Sequence, residues 1–372
     1  MQRELQLKGN CRARPNLGFM AAAVLVSVLG LAGCSSEPNG EPPKIRLNLA
    51  APPVFWVVYA ETVGWVDIVN RHSNLAIGVE SKAGAIAVQQ SVATGHTDLG
   101  YHQLYSETSL NYLGRHTYSD KPWSPAKNLR LIIGGISQLN ATFMTSPRIG
   151  IESMADLSGK RITRSTWSDI ESARNPILEA YGYDPQRDIR TILLNSTAEG
   201  WKELQLGRVD VVWDAINEGQ LKVQENIGQV VYLPIDPERL DLAKAMYPDI
   251  FRGVLSLTVR PGDVPGVKMA GPVSALGFMM MVYANANLSE DAAYTIVTTL
   301  LDHVEEVQSV ASATRNFSRE TALPPVDVVG EVPYHPGAVK AFQELGLWTA
   351  EHEEMQRALL TKEIEENVEA GD

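Results

Sequence analysis

From Ile45 onward, apolar runs of strand length alternate with stretches of helical period. Ile45 to Ala51 reads as a strand, Trp56 to Val69 as a helix, Leu75 to Val79 as a strand and Ala85 to Thr94 as a helix. Gly95 is placed to close that last helix in the left-handed conformation. In Gly95-His96-Thr97-Asp98-Leu99-Gly100 a helix ends at glycine and a short strand opens after the aspartate. The arrangement returns much later in the chain. Ser196 to Glu199 fits a capping box, Trp201 to Leu206 continues the helix, and Gly207-Arg208-Val209-Asp210 leads into the strand Val211 to Trp213. Such alternation indicates α/β units with parallel strands, and the two similar helix-turn-strand units suggest two similar lobes.

Between these units, Leu131 to Ile136 and Ala141 to Thr145 read as strands, and Met154 to Ile162 as short helix, turn and strand. Glu171 to Tyr181 reads as a helix kinked at Pro176, closed by Gly182 and stopped near Pro185. Val273 to Tyr283, which includes Met279, Met280 and Met281, is too short to span a bilayer and reads as one buried strand. Ser289 caps a helix from Glu290 to Val304. The charged tail from Thr349 reads as a solvated terminal helix.

The N-terminus needs a separate account. Arg3, Lys8, Arg12 and Arg14 precede an apolar run from Leu17 to Ala32, the pattern of a secretory signal peptide over residues 1–33. It ends in Leu31-Ala32-Gly33-Cys34-Ser35, which resembles a bacterial lipobox, so Cys34 is the expected lipidation site and membrane anchor. Residues 34–43 read as a flexible tether. Removing residues 1–33 takes away four basic groups and one acidic group, so the formal charge of −12 becomes −15. Such an acidic chain argues against a nucleic-acid partner. Cys11 leaves with the signal, so no thiol remains for a disulfide, a metal cluster or a nucleophile. The 372 residues, 44% apolar and 20% charged, suit about two globular domains.

No phosphate-binding loop, zinc-protease motif, nucleophile elbow or dinucleotide fingerprint is present. These absences favour a non-enzyme without a cofactor. His96, Asp98 and His102 lie close in sequence, but their spacing matches no standard zinc pattern, and no metal is expected. Polar and aromatic residues gather instead after predicted strands, where open α/β sheets bind ligands and helix N-termini favour a carboxylate. They include Trp56 after the first strand, Lys82 after the second, and Thr166, Trp167, Ser168 and Asp169 after the strand near Ile162.

Three segments carry a family resemblance: Ser91 to Gly100, Ala155-Asp156-Leu157-Ser158-Gly159-Lys160-Arg161-Ile162, and Pro333-Tyr334-His335-Pro336-Gly337-Ala338. In that order, behind a lipoprotein signal, they resemble the TAXI family of solute-binding proteins, the extracytoplasmic receptors of one class of TRAP transporters. The resemblance implies an α/β, two-lobed periplasmic-binding-protein-like fold, each lobe a mostly parallel sheet flanked by helices. Lobe I is then expected over 44–138, lobe II over 139–255, a return to lobe I with a hinge-packing segment over 256–348, and the helical tail over 349–372. It further implies a small carboxylate or amino-acid-like ligand in the cleft and a TRAP membrane permease as partner.

The departures fall on the binding loops. Of the family's Tyr pair only Tyr59 matches, within Ala50 to Tyr59, and Trp167-Ser168-Asp169-Ile170-Glu171 replaces Gly-Ser-Gly-Thr-Glu. Added apolar bulk points to a carboxylate with a larger apolar or aromatic body. Trp56, Tyr59 and Trp167 are candidates to line the pocket, with a core role open for Trp56. Ser168 and Asp169 contact ligand or cap the helix. Glu171 receives a ligand ammonium or serves the helix dipole. Lys82 and Arg164 are the candidate carboxylate partners, and Gln103, Gln138, Asn140 and Asp214 candidate hydrogen-bonding groups. Two rival functions stay open: a sensory subunit that presents its ligand to a membrane kinase, and an enzyme on the same fold using Asp169 with Glu171.

Overall fold

β1 (Ile45–Ala51) keeps its expected bounds, burying Leu47, Leu49 and Ala50 while Arg46 and Asn48 face outward. The structure is a computed structural model, described here over residues 44–371 apart from Phe55, Leu104, 166–169 and Ser196. Residues 1–43, with the expected signal, Cys34 and tether, lie outside the described residues. β1 pairs in parallel with β2 (Leu75–Ser81) and β3 (Leu99–Gln103), and β4 (Leu129–Ile133) lies at the far edge of the same sheet. The Val57–His72 helix covers this sheet. Its buried residues Val58, Glu61, Thr62, Trp65, Val66, Ile68 and Val69 recur every three or four positions and form one face. Trp65 on that face meets Tyr101 of β3 edge-on, ring centroids 5.3 Å apart. Gly95 closes the Ala85–Ala93 helix at φ 70°, as its position in the sequence implies.

The second sheet follows along the chain. It is built from β5 (Gln138–Thr145), β6 (Arg161–Ser165), β7 (Arg190–Leu194), β8 (Val211–Ala215), β9 (Val231–Leu233), β10 (Val254–Val259) and β11 (Val273–Met279). Helices cover both of its faces, so β8 is buried along its whole length. Phe143 and Trp213 enter one core, while Met144 and Val212 on the alternate face enter another with Trp201, Leu204 and Val223.

β12 (Met281–Asn285) returns to the first sheet, between β3 and β4. The stretch read as one buried strand is therefore two strands in two sheets, joined at Met280. The other crossing, residues 134–137, runs beside it, and the Met280 N–H donates to the Ser137 carbonyl at 2.9 Å. Gly135 makes its turn at φ 61°, where a Cβ would lie 2.4 Å from the Thr321 carbonyl oxygen. The chain thus leaves the second sheet at Met280 and not at 256, since β10 and β11 pair within that sheet.

These crossings also set antiparallel strands into sheets that otherwise run mostly parallel, as expected. A chain that passes straight from one sheet to the other and back must run antiparallel beside itself. β12 is accordingly antiparallel to β3 and β4, and β5 to β8, β9 and β11, so both sheets are mixed.

Ser289 caps the Glu290–Asp302 helix by accepting from the Ala292 N–H, and this helix ends two residues earlier than read. The Ala350–Gly371 tail is not merely solvated. Gln356 exchanges two hydrogen bonds with the Tyr334 backbone, at 2.8 and 2.9 Å, and Glu363 takes both Arg130 and the Tyr112 hydroxyl. A polar face that satisfies a neighbour's backbone is indistinguishable in sequence from one that faces water. Among the described residues no helix is long and apolar enough to cross a membrane.

Candidate functional site

A cleft of about 690 Å³ lies between the two sheets. The first lobe contributes the start of the Val57–His72 helix, with Trp56 and Glu61, and the loop carrying Arg315 and Asn316. From the second come Gln138 and Asn140 at the start of β5, Asp214 and Ala215 at the end of β8, and Leu257 to Val259 of β10. Because β5 and β8 are antiparallel, the start of one and the end of the other share an edge, with Ala141 opposite Ala215. Two second-lobe helices also open here, Thr197–Gln205 with Ala198 and Gln220–Ile227 with Lys222, so three helix N-termini border the cavity.

Four cations line the cleft: Lys202, Lys222, Arg260 and Arg315. All are exposed, and none makes an ion pair among the described residues. Two buried carboxyls face the same volume. Asp214 accepts from the Trp201 indole N–H and from the Ala215 N–H, both at 2.8 Å. Burial pushes its carboxyl up to about 6, and those two donors pull the other way.

Glu61 is 1% exposed, and neither of its oxygens has a hydrogen-bond partner among the described residues. The Ser137 hydroxyl is near enough to lower its pKa somewhat but is bonded to Tyr101 at 2.8 Å and does not reach bonding geometry with the carboxyl. Burial dominates and pushes Glu61 up to about 7, with Glu218 pushing the same way.

Of the residues singled out in the sequence, Trp56, Gln138, Asn140 and Asp214 line this cleft, Gln138 donating to Asn140 at 2.9 Å. Tyr59 is half-buried against the first-lobe core and does not line it. Lys82, just past the end of β2, pairs with Glu80 of that strand at 2.8 Å. Arg164 is exposed and lies outside the cleft lining. Glu171 begins the Glu171–Ala180 helix as expected but accepts from the Ser165 N–H at 2.8 Å, behind the cleft wall. Burial pushes it up to about 8, against the opposing pull of that N–H and of buried Arg174. Thr166, Trp167, Ser168 and Asp169 fall outside the described residues, and of Gln103 only the backbone in β3 is described.

Sequence reasoning passed over Glu61, Trp201 and the four cations. Glu61 had a legible signal, a carboxylate on the apolar face of the Trp56 to Val69 helix. Of the cations only Lys222 had one, its place in the first turn of a helix, and the others read locally as solvated side chains.

The described residues hold one group with metal-ligand character, His72, His303 and Glu306. Its imidazoles stack 3.8 Å apart at 24°, so their lone pairs run side by side and do not converge, and Arg71 already holds Glu306 at 2.9 Å. Asp98 of the His96 cluster accepts from the Asn48 N–H, a strand-edge role.

Two mixed α/β lobes, joined by paired crossings and enclosing a cleft, define the fold of the periplasmic solute-binding proteins. MatC of Rhodopseudomonas palustris, solved with bound malate, matches at a TM-score of 0.50 and 13% identity over 85% of this chain and 99% of that one. The aliphatic sulphonate-binding protein SsuA of Escherichia coli matches at 0.44 and 12%, covering 82% and 89%. The GluR0 ligand-binding core of Nostoc punctiforme, in complex with L-glutamate, matches at 0.42 and 13%, covering 71% and 96%. Residues 56–346 match the NMT1-like family, and the chain belongs to that family. No curated protein matches it in sequence.

Proposed function

We propose that the protein is an extracytoplasmic solute-binding receptor that captures a small carboxylate in the interlobe cleft and delivers it to a membrane permease. The observation that carries this reading is the cleft itself, about 690 Å³ between two jointed lobes with four cations that have no carboxylate partner among the described residues. Its volume suits a small molecule. Cations on opposite walls would gain from an anion between them, and closing the lobes would shield that contact from water. The apolar part of the lining, with Trp56, Ile170 and Leu257, suits a ligand with an apolar or aromatic body. Malate, the solute in MatC, is a small carboxylate.

The finer assignment, a TAXI-type receptor of a TRAP permease held to the membrane through lipidated Cys34, rests on the three sequence segments and the lipobox-like signal. Ala155 to Ile162 forms a single-turn helix and tight turn leading into β6, and Pro333 to Ala338 pairs beside β4 before opening the Pro336–Glu344 helix. Among the described residues the cleft offers no support for catalysis, because each Asp214 oxygen already accepts a hydrogen bond and Glu61 has no hydrogen-bonded nucleophile or acid–base partner.

The test is a thermal-shift and calorimetric screen of refolded, ligand-stripped protein against aliphatic and aromatic carboxylates, amino acids and alkanesulfonates. A ligand at a hundred times its Kd adds about 2.7 kcal/mol, several degrees for lobes of this size. Selective stabilisation by one carboxylate class, followed by uptake that needs the permease, is the expected result. Binding without uptake would favour the sensory role, and selective binding of sulfonates alone would refute the carboxylate assignment.

A further inference from the structure

Glu61 is the cleft-lining side chain that the bare protein leaves least satisfied. It lines the cavity from the Val57–His72 helix, is 1% exposed, and has no hydrogen-bond partner on either oxygen among the described residues. The groups facing it from neighbouring elements do not neutralise it. Tyr101 of β3 and Ser137 of the crossing are bonded to each other, and Glu218 from the second lobe carries the same charge. The other buried cleft carboxyl, Asp214, is fully engaged by Trp201 and Ala215, and Asp263 takes the Arg260 N–H at 2.7 Å. Three of the four lining cations, Lys202, Lys222 and Arg260, belong to the second lobe, opposite Glu61. The second wall therefore offers three exposed cations to an anion, while the first sets a buried, unpartnered acceptor near the exposed Arg315.

We propose that Glu61 receives a cationic nitrogen of the bound solute, so that the cleft selects ligands carrying a protonated amine as well as an anionic group. This rests on the cleft being the solute site and names the second charge the solute must bring. A dipolar ligand of this kind bridges the lobes, its nitrogen on Glu61 and its anion on Lys222, Lys202 or Arg260. A plain carboxylate engages only the cations and leaves Glu61 buried without a partner.

The experiment compares matched probes that differ by one amine: L-phenylalanine with 3-phenylpropanoate, L-leucine with 4-methylpentanoate, and L-glutamate with glutarate. Calorimetric titrations at pH 8 use the stripped full chain, its Glu61→Gln variant and the charge-retaining Glu61→Asp variant, each first shown to melt cooperatively. At least one amine-bearing member is expected to bind about tenfold or more tighter than its partner, as befits a charge-assisted hydrogen bond. That preference is expected to collapse in Glu61→Gln and to survive, weakened, in Glu61→Asp. Equal binding within every pair, or a preference unchanged in Glu61→Gln, overturns the role of Glu61 and leaves the carboxylate receptor standing. Absence of binding by every probe overturns both together.

Discussion

Replacing Glu61 by glutamine should stabilise the ligand-free protein, and more so as pH rises. The carboxyl is 1% exposed, and burial raises its pKa from 4.5 to about 7. Its folded-state pKa exceeds its unfolded one, so the folded protein holds the proton more tightly. The associated stability is fully present below about 4.5 and is lost as pH rises through about 7. At ~1.4 kcal/mol per pH unit this shift amounts to roughly 3 kcal/mol of instability at pH 8. Glutamine keeps the shape and carries no charge, so it escapes that loss. Buried Glu171 and Asp214 titrate in the same range but are common to both proteins, and subtraction removes them. The assay is scanning calorimetry of stripped wild-type and Glu61→Gln protein at pH 5 and pH 8. The midpoint gap should widen by several degrees in favour of the variant at pH 8. A gap that is the same at both pH values would refute the reasoning, because Glu61 would then be ionised throughout or solvated.

Four further outcomes follow from the same geometry. Trp201→Phe removes one of the two donors to buried Asp214 and should cost about 1–3 kcal/mol by denaturant unfolding, more than Asp214→Asn. Gly135→Ala combines a positive φ with a Cβ 2.4 Å from the Thr321 carbonyl oxygen, whereas Gly95→Ala meets nothing nearer than 3.8 Å. Thermal melts should place the first well beyond the ~1 kcal/mol expected of the second. Gln356→Ala breaks both bonds to the Tyr334 backbone and should destabilise by about 1–3 kcal/mol, with faster amide exchange at Tyr334. For any carboxylate found in the screen, Lys222→Ala should weaken binding roughly tenfold while Lys82→Ala leaves it unchanged, since Lys82 is paired with Glu80 outside the cleft.

The local elements were legible because their causes are local. β1 keeps its predicted ends, Gly95 takes the left-handed cap and Ser289 accepts from the first turn of its helix, each decided by a few neighbouring residues. The junction at Met280 was not legible. Met279, Met280 and Met281 are all buried, and no glycine, proline or polar residue marks the point where the strand changes sheets. What switches there is the partner strand, from β5 to β3 and β4, and partner choice is a tertiary property. The same limit hid the tail's docking face, where buried His352 and Gln356 serve distant carbonyls of Pro324 and Tyr334.

Because each fits its local setting badly, Glu61 and Lys222 carry a different kind of signal, one that sequence reasoning passed over. Glu61 stands on the buried face of an amphipathic helix, where a carboxylate loses its hydration and gains no partner. Lys222 stands in the first turn of the Gln220–Ile227 helix, where the dipole disfavours a cation. These misfits have different causes, one of solvation and one of backbone electrostatics, and they arise on different lobes. Each alone is common enough to mean nothing. They face one cavity, and their charges are opposite, so a single dipolar solute would relieve both at once. Sequences give up local consistency where function requires it, and two unrelated departures converging on one volume are what the proposed solute site would produce.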